Sequence, residues 1–426
     1  MLINRTIQPE TKSVQFINIP PVKKITLDNG LPLYILNGGS QDLIKLDVMI
    51  PAGANYTNKK LAAPLTGLML NEGTSSKTAH EIAEAFDFYG AYFQPSIEKD
   101  NSNVGLVSLN KHLANTLPVF AEVLLQSTFP EKEFSNLIKR RKQKFLVDSE
   151  KTSFVAKELF FEHLFGANHP YGMATTENLY NEIQAEELHS FYKSNYQTAN
   201  FKLIASGLIN ESSIQLINQY FGKLKMLEKP QPLNVGLSEK WSSKPIIIKK
   251  EDAVQSSIRM GIITINKQHH DYIGLKILTT ILGGYFGSRL MKNIRVEKGF
   301  SYGIQAMQIS LANAGYMAIA ADVMVEHTKE AVDEIFKEIS KLKTEEVSQN
   351  ELNLVRNYMM GEMLQMFDGP LSISEAFKGV VEYNLDFSYY KKMKESILNI
   401  TAVELQNLAN KYFNLDSFVT VVAGKY

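Results

Sequence analysis

The chain of 426 residues contains no cysteine. That absence removes disulfides, thiolate zinc sites, iron–sulfur clusters and a cysteine nucleophile. It leaves the redox compartment open, because a chain without thiols suits either. No run of eighteen apolar residues occurs, so no membrane span is expected. The first twenty residues lack the apolar stretch of a signal peptide. A cytoplasmic chain is expected, or a periplasmic one if a presequence was removed. Excess charge of either sign is also missing, with 45 Lys+Arg against 45 Asp+Glu. Such balance argues against a protein whose task is holding nucleic acid phosphates. There is no G-x-S-x-G, no P-loop and no Rossmann glycine triplet after a strand.

What remains is an ordinary globular mixture, 44% hydrophobic and 21% charged. The length suits two to three domains. Two apolar runs flank Asp28-Asn29-Gly30 and predict a hairpin with a type I′ turn. Ile44, Leu46, Val48 and Ile50 alternate, predicting a half-buried strand. Leu113, Leu117, Phe120 and Leu124 share one helical face. A charged helix follows, carrying Lys139-Arg140-Arg141-Lys142 as a solvated face. Residues 223–243 hold Pro230 and Pro232 without a clear period and are expected to be a linker. After them the plan restarts. Ile258, Met260 and Ile262 alternate, helices follow, and residues 351–356 echo residues 133–139. Two copies of one α+β unit account for this, at 1–222 and 244–426, each a mainly antiparallel sheet packed with helices.

The eight histidines supply no local zinc motif. His80-Glu81 continues to Glu84, so H-E-x-x-H fails, and Thr78-x-x-Glu81 is better explained as a capping box. His163 follows Glu162, but Leu159 stands where H-x-x-E-H needs its first ligand, so His163 is expected in the core or at its boundary. His269 and His270 precede Asp271 at a helix start, where adjacent side chains are expected to diverge. His112, His169, His189 and His327 lack an acidic partner at ligand spacing.

One glycine-rich stretch, Leu282-Gly283-Gly284-Tyr285-Phe286-Gly287-Ser288-Arg289, follows a helix rather than a strand. It admits three readings: a weak phosphate cradle, a flexible connection between helices, or a loop that a peptide backbone can approach closely. Beyond it lie Arg295, with planar donors suited to a carbonyl or carboxylate, and Tyr302, with a hydroxyl on an apolar body. Alone, such a pair is more often a structural network than a substrate clamp.

These residues resemble the C-terminal half of pitrilysin/insulinase-type zinc metallopeptidases, the family that includes mitochondrial-processing-peptidase-like enzymes. The resemblance rests on residues 281–290 and on Arg295-x-x-x-Gly299-x-x-Tyr302. Leu27-Asp28-Asn29-Gly30-Leu31, Ala52-Gly53, Asn71-Glu72-Gly73-Thr74, His169-Pro170-Tyr171-Gly172 and Phe191-Tyr192 with Asn195-Tyr196 agree in order. The match covers residues 20–426. By this resemblance the zinc motif H-x-x-E-H belongs at Pro64, Leu65, Thr66, Gly67 and Leu68, and the third ligand near Phe145 or Leu146. None of these residues is a ligand. The resemblance therefore implies a chain with no metal or cofactor of its own, inactive alone.

In two-chain members of the family, one subunit holds zinc and the other offers an Arg/Tyr pair to the bound peptide. The resemblance implies that this chain is the second kind, a partner for a zinc-bearing homologous subunit in a heterodimer acting on peptides. Arg295 and Tyr302 would touch the substrate, and Gly283, Gly284 and Gly287 would line its path. Neither a nucleic acid nor a membrane partner is expected. The rival readings are a structural relative without peptidase work and a peptide-binding homodimer.

Overall fold

The computed structural model describes residue 6, residue 14 and residues 16–196, 201–225, 230–237 and 244–426. Most of the first fifteen residues and parts of the expected linker thus lie outside the described residues.

Six strands form the first sheet: β1 (Lys23–Thr26), β2 (Pro32–Asn37), β3 (Leu43–Ile50), β4 (Tyr92–Ile97), β5 (Ser102–Leu109) and β6 (Lys202–Gly207). Their order is β1-β2-β6-β3-β5-β4. The second sheet holds β7 (Ile246–Lys249), β8 (Gln255–Thr264), β9 (Ser301–Ser310), β10 (Gly315–Met324) and β11 (Val419–Gly424), in the order β7-β11-β8-β10-β9. In each sheet the last strand in the chain lies parallel to an early one, β6 on β2 and β11 on β7. Every other pairing is antiparallel. Without β1, the first sheet has the connectivity of the second. The mainly antiparallel α+β architecture and the duplicated plan read from the sequence are both present.

The Asp28-Asn29-Gly30 hairpin forms, with Thr26 opposite Pro32. Its turn is not type I′. Gly30 has φ +92°, but Asn29 is not in the left-handed region. The Gly30 N–H donates to Leu27 O and the Leu27 N–H to Leu31 O, both at 2.9 Å. That is a turn closed by one left-handed glycine. Asn29 is tied elsewhere, its amide donating to the carbonyls of Phe221 and Leu224.

Strand β3 differs from expectation more deeply. Residues 44–50 are buried on both faces, Lys45 and Asp47 included. The helix Gly369–Val381, from the far end of the chain, lies over that second face. Its Lys378 reaches Asp47 at 3.3 Å and its Ser374 donates to Asp47 at 3.2 Å, while Lys45 pairs with Glu375. The helix Thr152–Phe165 crosses the other way and covers β8 and β11. Ala156, Phe160, Leu164 and Phe165 pack there on Tyr316, Val419, Val421 and Ala423. Gly261 in β8 admits this crossing, since a Cβ there would come within 2.7 Å of the Phe160 ring. Each half thus lends one helix to the other's sheet.

Part of the expected linker is held down. The Leu233 N–H donates to Asn55 O at 2.8 Å, and Leu237 packs on the Phe160 cluster. Among the described residues, no helix is long and apolar enough to cross a membrane.

Candidate functional site

Arg295 sits on a π-helical segment, Met291–Glu297, which follows a shorter one at Thr280–Gly284. Such segments are rare and recur at functional sites. Tyr302 is the second residue of β9, an edge strand of the second sheet. In β10, Ala321 pairs with Ile304 but Val323 pairs with Ser301. Tyr302 and Gly303 together therefore oppose Asp322 alone, which makes a β-bulge. A bulge bends its strand and re-aims a side chain. The Ser301 hydroxyl bridges this one. It lies 2.7 Å from the carbonyls of Gly303 and Asp322 and accepts from the Gly303 N–H at 3.1 Å. Tyr302 is turned out of the core and is 87% exposed.

The structure brings Arg295 and Tyr302 together. The Arg295 guanidinium carbon lies 4.8 Å from the centroid of the Tyr302 ring and 4.8 Å from that of Phe286. No hydrogen bond or ion pair engages the guanidinium among the described residues. Its donors are free.

The three glycines divide. Gly283 is buried, and a Cβ there would lie 2.6 Å from that of Ala306, so its bareness lets the loop rest on β9. Gly283, Gly284, Tyr285 and Phe286 line a cleft of about 410 Å³ together with Gly303 to Gln305 and Asp322, while Arg295 and Tyr302 are outside its lining. Gly287 is outside that lining, and a Cβ there would press within 2.7 Å of the Tyr285 ring. The sequence reading did not assign Phe286 to the site. Two adjacent aromatics, Tyr285 and Phe286, between Gly284 and Gly287 were the available signal.

At 64–68 the residues lie on the helix Ala62–Met69, with Leu65, Thr66 and Gly67 buried. A Cβ on Gly67 would meet the Ile97 side chain at 2.2 Å, so β4 fills the space a glutamate would need. Phe145 packs between the rings of Phe154 and Tyr180. The donor set does not fit a zinc ion.

Two histidine expectations are corrected. His163 is exposed rather than at a core boundary, because its helix turns Phe160 and Leu164 onto the sheet instead. His269 and His270 do not diverge: their rings stack at 4.2 Å, and with Asp271 they are the one group among the described residues close enough to hold a metal. Three features oppose that use. The rings lie within 24° of parallel, so their lone pairs run in planes that do not meet at one ion. His269 Nδ1 already accepts the Asp271 N–H. Lys411 and Tyr412 both donate to the Asp271 carboxylate at 2.7 Å. Thr78 does cap its helix with Glu81 in a capping box.

A second concentration of polar groups sits in the seam between the sheets. At the β4–β5 turn, Lys99 Nζ donates to Tyr171 O at 2.8 Å and lies 4.1 Å from the Phe161 ring centroid. Burial, reinforced by the Lys60 charge, pushes its pKa down to about 7. Asp100 accepts from the Tyr171 hydroxyl and from the Ala312 N–H across the seam. Burial raises the Asp100 pKa. Burial and the Lys99 charge lower that of His169, whose Nδ1 accepts the Tyr171 N–H. In the unfolded chain Lys99 holds its proton to about pH 10.4. Between about pH 7 and that value the unfolded chain binds more protons, so this lysine makes stability rise with pH. Urea unfolding of wild type and Lys99→Met from pH 7 to 9 checks this. The wild type should gain on the variant as pH rises, and parallel curves would contradict the burial of that charge.

Residues 37–167 match the family profile described as Insulinase (Peptidase family M16). Residues 182–359 match that of the Peptidase M16 inactive domain. This chain belongs to the M16 peptidase family. It is 22% identical over 415 residues to an uncharacterized zinc protease, YmxG, of Bacillus subtilis, covering 94% of this chain and 98% of that protein. To the mitochondrial-processing peptidase subunit beta of Saccharomyces cerevisiae it is 21% identical over 381 residues, covering 84% and 81%. Among solved structures, an M16 inactive-domain protein of Pseudomonas fluorescens superposes with a TM-score of 0.85 at 22% identity, covering 95% of this chain and 98% of that one. The periplasmic protease PqqL of Escherichia coli superposes at 0.79 and 12% identity, with this chain spanning 48% of its length. The last two likenesses bear on the fold.

Proposed function

We propose that this M16 chain is the non-zinc subunit of a two-chain peptidase, offering Arg295 and Tyr302 to a peptide held against a zinc-bearing homologous partner. The observation that carries the reading is the pair itself. The Arg295 guanidinium, which no hydrogen bond or ion pair engages among the described residues, lies beside the exposed Tyr302 phenol and over Phe286, which lines the cleft. In the same chain the zinc positions hold Pro64, Gly67 and Leu68. Arg295 would donate to backbone carbonyls of the peptide. Tyr302 would donate to the carbonyl oxygen where negative charge develops. Gly283 and Gly284 would line the peptide's path, while Gly287 would shape the loop that carries them.

Purification of the chain from its native cell tests this. A homologue bearing H-x-x-E-H should accompany it, and dialysed complex should hold zinc that the separated chain does not. A chain that purifies alone, or within a membrane assembly lacking such a homologue, would contradict the proposal. Zinc retained by the chain alone and lost in His270→Ala would relocate the metal to the His269–Asp271 group.

A further inference from the structure

We infer that Phe286 is a positioning residue for Arg295, the third member of the peptide-holding constellation. This rests on the role proposed for Arg295, and the experiment below separates the two.

The loop is built to expose this ring. Tyr285 is turned inward and stacks on Tyr358 with ring centroids 4.9 Å apart and planes at 28°. Tyr358 is fixed in turn by its hydroxyl bond to Glu362 at 2.6 Å. The absence of a side chain at Gly287 makes room for the Tyr285 ring. With Tyr285 half-buried against Tyr358, the next side chain points outward, and Phe286 is left 65% exposed. Single exposed hydrophobics are ordinary, and what distinguishes Phe286 is the charged group lying over its ring.

Arg295 lies over the Phe286 ring at the same 4.8 Å distance as over the Tyr302 ring. A guanidinium is attracted to both faces electrostatically and stays charged. Held by rings rather than by carboxylates, it keeps all five donors for a ligand. A bidentate ion pair would also have fixed the side chain, but would have occupied two of those donors. Clamping between two rings also removes rotamer freedom that Arg295 would otherwise lose on binding peptide. The clamp is assembled from two places: Phe286 from the glycine loop and Tyr302 from the bulge in β9.

The test uses Phe286→Leu, which keeps apolar bulk but no π face, and Phe286→Tyr, which restores the face. In the chain alone, NMR of the arginine side chains, with Arg295 assigned through Arg295→Lys, reads ring-current shifts directly. The Arg295 resonances should move toward ordinary arginine values in Phe286→Leu and stay near wild type in Phe286→Tyr. In the complex copurified from the native cell, cleaving a quenched-fluorescent peptide, Phe286→Leu should raise KM about two- to fivefold with kcat nearly kept. Phe286→Tyr should restore it. Arg295 resonances that do not move in Phe286→Leu overturn the inference, as does a leucine variant kinetically equal to tyrosine. If Arg295→Ala leaves KM unchanged, the peptide-holding role itself fails, even where the resonances confirm the clamp.

Discussion

In the assembled complex, Tyr302→Phe is expected to lower kcat by about 10²–10³, the usual cost of a lost oxyanion-type donor. The substitution deletes one hydroxyl. With Tyr302 87% exposed and its ring retained, neither packing nor the contact with Arg295 depends on that hydroxyl. Stability and assembly should be unchanged. Arg295→Ala should raise KM as well, because backbone anchoring exists already in the ground state. Steady-state kinetics with thermal melts on the same samples separate this from a structural role. A structural pair predicts a lower melting temperature or failed assembly, with near-normal turnover in whatever complex forms. Full activity of well-folded Tyr302→Phe would remove the residue from the chemistry.

The second large effect concerns the two halves. Expressed separately, residues 16–225 and 244–426 should not fold as independent cooperative units. In the first fragment Phe160, Leu164 and Phe165 lose the sheet they cover. At about 1.5–3 kcal/mol for each large apolar side chain, roughly 5–9 kcal/mol disappears. That is comparable to the whole stability of an ordinary domain. Asp47 loses Lys378 and Ser374, Lys45 loses Glu375, and Leu36, Met49 and Ile204 on the same face lose the apolar cover of the second half. Urea titration followed by circular dichroism decides the matter. Cooperative unfolding of either fragment alone would show that the exchanged helices are dispensable. Mixing the fragments should restore the transition.

The features legible in the sequence are those set by neighbours along the chain. The hairpin at Gly30, the capping box at Thr78 and the helix Leu113–Leu125 each follow from a local pattern. The duplicated plan was legible for the same reason, since each copy repeats its own local signals. What failed was decided across the chain. Alternation in β3 promised a solvated face, but the helix over that face arrives from residues 369–381. Asn29 departs from a type I′ turn where its amide is claimed by Phe221 and Leu224. At the site, the spacing of Arg295 and Tyr302 was visible. The bulge that aims Tyr302 depends on β10 register, and the clamp on Arg295 depends on where the glycine loop lands. Neither leaves a periodic trace.

The most direct measurement mixes this chain with the zinc-bearing homologue proposed as its partner and follows cleavage of a quenched-fluorescent peptide. The division of labour rests on two different deficits. This chain has no zinc ligand at 64–68, and the partner is proposed to depend on a second subunit's donors to hold the peptide in line. Activity should therefore appear in the mixture, be absent from either chain alone, and depend on both Arg295 and Tyr302. A partner equally active without this chain, or a mixture indifferent to both substitutions, would contradict the account.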